Sequence, residues 1–152
     1  MEDTFIRGFM AGDTLEMTEL HKKFSSLFEE SELTVDYINQ CSLRHDFRFY
    51  VAEHNGSIVG YSGVLFYESV GRAEIGPIAM LDEYQNKGVG SKLLNTVLEF
   101  LKQRSIHRVT AKVKSGNESG IMFFEKNGFK KEAVFERYTK KQETIVQMVR
   151  FI

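Results

Sequence analysis

Apolar residues recur along the chain with two periods, and the switches between them predict its elements. Phe5 to Phe9 is a short apolar start that predicts a first strand. Asp13-x-x-Glu16 then has the form of a capping box, whose side chains satisfy free amides at a helix start. Met17, Leu20, Phe24, Leu27 and Phe28 follow at helical spacing. A second helix is predicted from Thr34 to about Leu43, with Tyr37, Ile38 and Cys41 on its inner face. Phe47, Phe49 and Val51 alternate with Arg48 and Tyr50, which is the period of a strand. Asn55-Gly56 is a hairpin signal, because both residues tolerate positive φ. Ile58 to Tyr67 and Ala73 to Met80 read as the next two strands.

The clearest helix runs from Val89 to Gln103. Val89, Leu93, Val97 and Leu101 face inward, and Lys92, Asn95, Glu99 and Lys102 face out. Val109, Ala111 and Val113 mark another strand. Asn117 to Lys126 reads as a helix ended by Asn127-Gly128. Phe129 to Tyr138 and Thr144 to Phe151 complete the pattern as a pair of strands. The order β-α-α-β-β-β-α-β-α-β-β predicts an α/β fold with a mixed sheet.

Composition narrows this to a single domain over residues 1–152. The chain is 42% hydrophobic and 27% charged, ordinary globular values that argue against disorder. Twenty basic residues stand against 21 acidic ones, a net charge of -1, so nucleic acid is not an expected partner. No apolar run approaches the ~20 residues of a membrane span. Met1-Glu2-Asp3 is acidic and lacks an apolar signal core, so a cytoplasmic location is expected. Cys41 is the single cysteine, which excludes an internal disulfide and a thiolate zinc cluster. No His, Cys or carboxylate spacing suggests a metal site. His21 is expected on the surface of the first helix.

Candidate chemistry centres on Gln85-Asn86-Lys87-Gly88-Val89-Gly90, between a predicted strand and a predicted helix. Glycines let a backbone approach a ligand closely. Amides at a helix start lack partners within the helix, and the helix dipole favours an anion there. The segment therefore suits a pyrophosphate, although a tight turn alone would also use these glycines. It is not a Walker loop and lacks the third glycine of the dinucleotide fingerprint.

Gln85-x-x-Gly88-x-Gly90 resembles the pyrophosphate loop of the GNAT superfamily of acetyl-CoA-dependent N-acetyltransferases. The preceding Gly76-Pro77-Ile78-Ala79-Met80 looks like that family's fourth strand. Asn117, Gly120, Phe124 and Gly128-Phe129 match its second block, and the element order matches across nearly the whole chain. The resemblance implies a mostly antiparallel mixed sheet flanked by helices, splayed between strands 4 and 5. The pantetheine arm of acetyl-CoA would enter that gap and pair with the backbone of Ile78, Ala79 and Met80. Pro77 suits an edge or bulge, because it cannot donate to a ladder. Asn86, Lys87, Gly88, Val89, Gly90 and Ser91 would cradle the pyrophosphate. Asn117 would anchor the coenzyme arm, or simply cap the next helix. Of Phe123 and Phe124, one is core and the other lines the thioester end; Phe124 is counted among the coenzyme contacts.

The implied reaction is acetyl transfer to a primary amine of a small molecule, a peptide N-terminus or a lysine, by direct attack in a ternary complex. It needs a neutral nitrogen, a donor for the developing oxyanion and an exit for the thiolate. The Met80 amide is the candidate oxyanion donor. Glu74, on the same strand, is the candidate base, its alternative being a solvent-exposed edge carboxylate. Glu53, Glu68 and Glu136 are weaker candidates. The family's frequent catalytic tyrosine falls on Phe124, which has no proton to give, and Tyr138 is a candidate substitute. That departure keeps open a second reading, a degenerate member that binds acyl-CoA as a sensor or structural module. The acceptor pocket would be lined by the first two helices, the stretch 67–72 and the loop 139–144. Glu29, Glu30 and Glu32 form an acidic cluster suited to a cationic amine or to plain solvation. The apolar run 145–149 suits either a homodimer contact or the core.

Overall fold

A computed structural model of the chain describes residues 4–25 and 33–152. The elements are β1 (Thr4–Gly8), α1 (Thr14–Lys23), α2 (Val35–Ser42), β2 (Phe47–His54), β3 (Ser57–Tyr67), β4 (Arg72–Met80), α3 (Val89–Gln103), β5 (Arg108–Lys114), α4 (Glu118–Lys126), β6 (Lys130–Phe135) and β7 (Ile145–Phe151). They form one seven-stranded sheet in the order β1-β2-β3-β4-β5-β7-β6. β4 and β5 run parallel, and the other pairings are antiparallel. The parallel step follows from α3, which carries the chain from the end of β4 back to the start of β5. Asn55 and Gly56 make the β2–β3 turn at φ of 51° and 81°, as their side chains allow.

Alternation along each strand divides the core between two faces. Phe49, Val51, Tyr61 and Ala79 meet Met17, Leu20, Ile38 and Cys41 from α1 and α2. On the other face Val64, Ala73, Ile75, Val109, Ala111 and Met148 meet Leu94, Val97, Leu101, Ile121 and Phe124 from α3 and α4. Each buried Val, Leu, Ile, Phe or Met among them contributes about 1.5–3 kcal/mol relative to exposure. Ile145, Val146, Met148 and Val149 are 1%, 6%, 0% and 2% exposed, so the apolar run of β7 lies in this chain's own core.

Several local expectations change. Asp13 does not cap α1. Its carboxylate accepts two hydrogen bonds of 2.9 Å from the Arg7 guanidinium and one of 2.7 Å from the Met10 amide. Burial opposes the charged form, but those bonds and the Arg7 charge outweigh it and hold Asp13 below the usual aspartate range. Glu16 reaches β3 instead, accepting from the Ile58 amide at 2.9 Å. His21 is not a surface residue: it is 1% exposed and its Nδ1 lies 2.5 Å from the buried Tyr61 hydroxyl. Tyr37 turns outward and is 40% exposed, while Ile38 and Cys41 face in as expected. Leu27, Phe28, Glu29, Glu30 and Glu32 lie outside the described residues. β6 stops at Phe135, short of Tyr138, and the chain turns at Arg137 with φ 50°.

Candidate active site

The site begins where β4 and β5 part. Their ladder runs from Arg72–Arg108 to Ile75–Ala111 and ends there, although β4 continues to Met80 and β5 to Lys114. The cause is a bulge. Ser62 pairs with Ile78 and Val64 with Ile75, so Gly76 and Pro77 together oppose Gly63. Pro77 brings no amide to the ladder, and Gly76 lies so close to β3 that a Cβ there would sit 3.3 Å from the Gly63 carbonyl oxygen. A bulge bends its strand and sharpens the twist, which takes the end of β4 away from β5.

Beyond the bulge, β4 remains paired with β3, and the Leu81 amide donates to the Val59 carbonyl at 2.9 Å. Hydrogen-bonded and non-bonded pairs alternate in an antiparallel ladder. The backbone groups of Ala79 therefore turn to β3, and those of Ile78 and Met80 turn into the gap. The expected backbone contacts thus separate: Ile78 and Met80 point away from β3 toward the gap, and Ala79 serves the sheet. The Met80 carbonyl already accepts from the Gln85 side chain at 2.9 Å, whose amide also donates to Asp82 at 3.2 Å. Gln85 thereby ties the loop to the end of β4.

The loop then delivers the start of α3. Asn86 has φ 60° and Gly88 has φ 82°; Gly88 is the helix cap and makes no side-chain cap bond. The first helical bond comes from the Lys92 amide to the Gly88 carbonyl, at 3.0 Å. The amides of Val89, Gly90 and Ser91 precede it and have no acceptor within the helix. Val89 is 3% exposed and pins this turn to the core, whereas Asn86, Lys87 and Gly88 are exposed. Gly90 has a packing reason as well: a Cβ there would lie 3.1 Å from the Phe123 ring of α4.

Across the gap, Asn117 caps α4. Its Oδ1 accepts from the Gly120 amide at 3.0 Å and the Ser119 hydroxyl at 3.2 Å. Gly120 lies close beneath it: a Cβ there would come within 2.6 Å of the Asn117 side-chain amide, which would have to shift. Phe124, expected among the coenzyme contacts, is 7% exposed and packs edge-on against Phe129 at 5.1 Å. Phe123 is the member of the pair that reaches the α3 loop.

Glu74 stands at the paired end of the gap. Its neighbours Ala73 and Ile75 are buried toward α3, so Glu74 faces the α1/α2 side. Lys112 of β5 donates to Glu74 Oε1 at 2.5 Å, and the Lys112 ammonium lies 5.8 Å from the centroid of the Tyr138 ring. The Tyr138 loop is fastened to β5 by the Lys114–Glu143 ion pair at 3.1 Å. The Lys114 hydrogen bond holds Glu143 below the usual glutamate range against a smaller opposing effect of burial, and a Thr139 hydroxyl bond adds to it. Glu53 and Glu68 pair instead with Arg7 and Arg104. Lys112 carries no signal of its own in the sequence. The alternation Val109, Ala111, Val113 turns it to the opposite face, but which strand lies beside β5 is not written in that alternation.

A groove of about 690 Å³ starts at Gly88 and Ser91 and runs along α3 beside Arg48 and Tyr50. Glu74 is not on it. Among the described residues, no group of three or more His, Cys, Asp or Glu side chains is placed to hold a metal, and no helix is long and apolar enough to cross a membrane.

Residues 14–129 match the model of the acetyltransferase (GNAT) family. An uncharacterized N-acetyltransferase of Chlorobaculum tepidum is 32% identical over 89 residues, which are 58% of this chain and 53% of that protein. The chain spans about half the length of the curated relatives it matches. Among solved structures, Ard1 from Thermoplasma volcanium superposes with a TM-score of 0.86 at 25% identity, covering 99% of this chain and 98% of that one. A spermidine N-acetyltransferase from Vibrio cholerae in complex with CoA and spermine shares the fold, with a TM-score of 0.85 at 19% identity over 99% and 96% of the two chains.

Proposed function

This chain belongs to the acetyltransferase (GNAT) family, and on that premise we propose that it transfers the acetyl group of acetyl-CoA to a primary amine by direct attack. The observation that carries the reading is the β4–β5 ladder, which stops at Ile75–Ala111 while both strands run on. The opening is bordered by the backbone groups of Ile78 and Met80 on one side and by the starts of α3 and α4 at its end. These features fit acetyl-CoA. The Ile78 backbone and the second lone pair of the Met80 carbonyl would pair with the amides of the pantetheine arm, and the amides of Val89, Gly90 and Ser91 would hold the pyrophosphate. Lys87 adds a cation beside them. Bound acetyl-CoA supplies an activated thioester.

The chain's own residues would do the rest. Glu74 would accept the proton that an ammonium must lose before its nitrogen can attack. The Met80 amide would donate to the carbonyl oxygen as it gains charge. A thiol with pKa near ~8.5 can leave as the thiolate, so Phe124 at the family's tyrosine position does not block the reaction. The burial of Phe124 against Phe129 is also the observation that favours the alternative, a family member that binds acyl-CoA without turnover.

Coenzyme A release from acetyl-CoA, measured across a panel of amines and peptides, tests the proposal. Amine-dependent release is expected. Stabilisation by acetyl-CoA with no release for any amine would leave the binding-module reading in its place.

A further inference from the structure

An ammonium already sits in the candidate site, and it belongs to the protein. Lys112 is one residue beyond the last β4–β5 pair, so it stands at the mouth of the gap. Its Nζ lies 2.5 Å from Glu74 Oε1 and 5.8 Å from the centroid of the Tyr138 ring. A carboxylate together with the face of an aromatic ring is an arrangement that recognises ammonium groups.

Glu74 and Tyr138 are each positioned by contacts that do not involve Lys112. Glu74 is paired on both sides, with Leu65 of β3 and Thr110 of β5. Tyr138 stacks on Phe135, with centroids 5.2 Å apart and planes at 27°, and its amide donates to the Glu143 carbonyl at 3.0 Å. Lys114 and Glu143 lock that loop to β5. The lysine side chain from Cβ outward is itself an n-butylammonium ion.

We propose that Glu74 and Tyr138 form the acceptor subsite, that it takes a primary ammonium on an unbranched alkyl stem, and that Lys112 fills it until such an acceptor displaces it. The inference rests on the acetyl-transfer reading above and names its substrate class. An incoming alkylammonium must compete with Lys112 for the same carboxylate, so the wild-type protein binds it more weakly than the subsite alone would.

The test removes the competitor. Lys112→Met keeps an unbranched stem and deletes the charge, and Lys112→Gln serves as a second variant should the first not fold. With n-butylamine as acceptor, KM should fall about tenfold, which corresponds to about 1.4 kcal/mol. Binding of n-butylammonium without acetyl-CoA, followed by calorimetry, should tighten by a similar factor. Adding Tyr138→Leu to the Lys112 variant should reverse part of that gain. Unchanged or weaker n-butylammonium binding and KM in a folded Lys112 variant would overturn the subsite. Tightened binding with no coenzyme A release for any amine would uphold the subsite and overturn acetyl transfer. Amine-dependent release with an unchanged KM would do the reverse.

Discussion

Glu74 owes its position to three neighbouring facts: it alternates with buried Ala73 and Ile75, it lies just before the bulge, and it faces the α1/α2 side. A carboxylate there reaches the gap without blocking the β4 backbone beyond it. Glu74→Gln preserves shape and removes proton acceptance. The rate of acetyl transfer should fall by roughly 10²-fold or more. Acetyl-CoA affinity should hold, because Ile78, Met80 and the α3 loop lie further along the chain. Full activity across the pH range in steady-state assays would leave Glu74 as a carboxylate that only pairs with Lys112. Phe124 shows the opposite case, a residue placed at a family position by its neighbours in sequence and drawn into the core by Phe129.

At the scale of the element, the start of α3 depends on backbone shape. Gly88 has φ 82° and open space where a Cβ would go, so substitution there acts through the backbone and not through a clash. A residue with a branched side chain in this region costs about 1–2 kcal/mol. Gly88→Val should lower both thermal stability and coenzyme A affinity, whereas Gly88→Asn, which tolerates the left-handed region, should retain most of each. Equal affinities for the two variants in calorimetry would separate the loop's shape from binding. The β1–α1 corner gives a pH-dependent counterpart. Asp13 is held below its usual range when folded, so its contribution is present above the ordinary aspartate value, near ~3.9, and is lost as pH falls through the lower folded value. Asp13→Asn should therefore be less stable than wild type at neutral pH, and the difference should shrink in acid. Denaturation curves across pH check it.

The whole molecule combines a closed pair of cores with one deliberate break in its sheet. Layers of helices cover both faces, yet the ladder opens between β4 and β5, at the starts of α3 and α4. A ligand that enters this opening binds the folded chain alone and should stabilise it by mass action. At a hundredfold excess over Kd, acetyl-CoA should add about 2.7 kcal/mol. For a domain of this size the melting temperature should then rise by roughly 5–10 °C. Coenzyme A should stabilise more than the pantetheine arm without its phosphates, if the α3 amides hold the pyrophosphate. Equal shifts from the two in differential scanning fluorimetry would remove the loop from the binding site.

The sequence by itself determined the period of each element, and with it most of the fold. Val89, Leu93, Leu94, Val97, Leu98 and Leu101 can share a face on a helix but not on a strand, and Asn55-Gly56 suits few structures other than a hairpin. The glycines of the loop and the second block, Asn117 to Phe129, were legible for the same reason: they act on their immediate neighbours. What spans distant segments was decided by the tertiary structure. Asp13 and Glu16 have the spacing of a capping box, but Arg7 and Ile58 offered better partners once β1 and β3 lay beside them. His21 has the pattern of a surface residue until Tyr61 arrives from 40 residues away. Lys112 reads as one more outward lysine on a strand. Only the parallel pairing of β4 with β5 sets it against Glu74, because strand order and register depend on which faces must be buried together and not on any local run of residues.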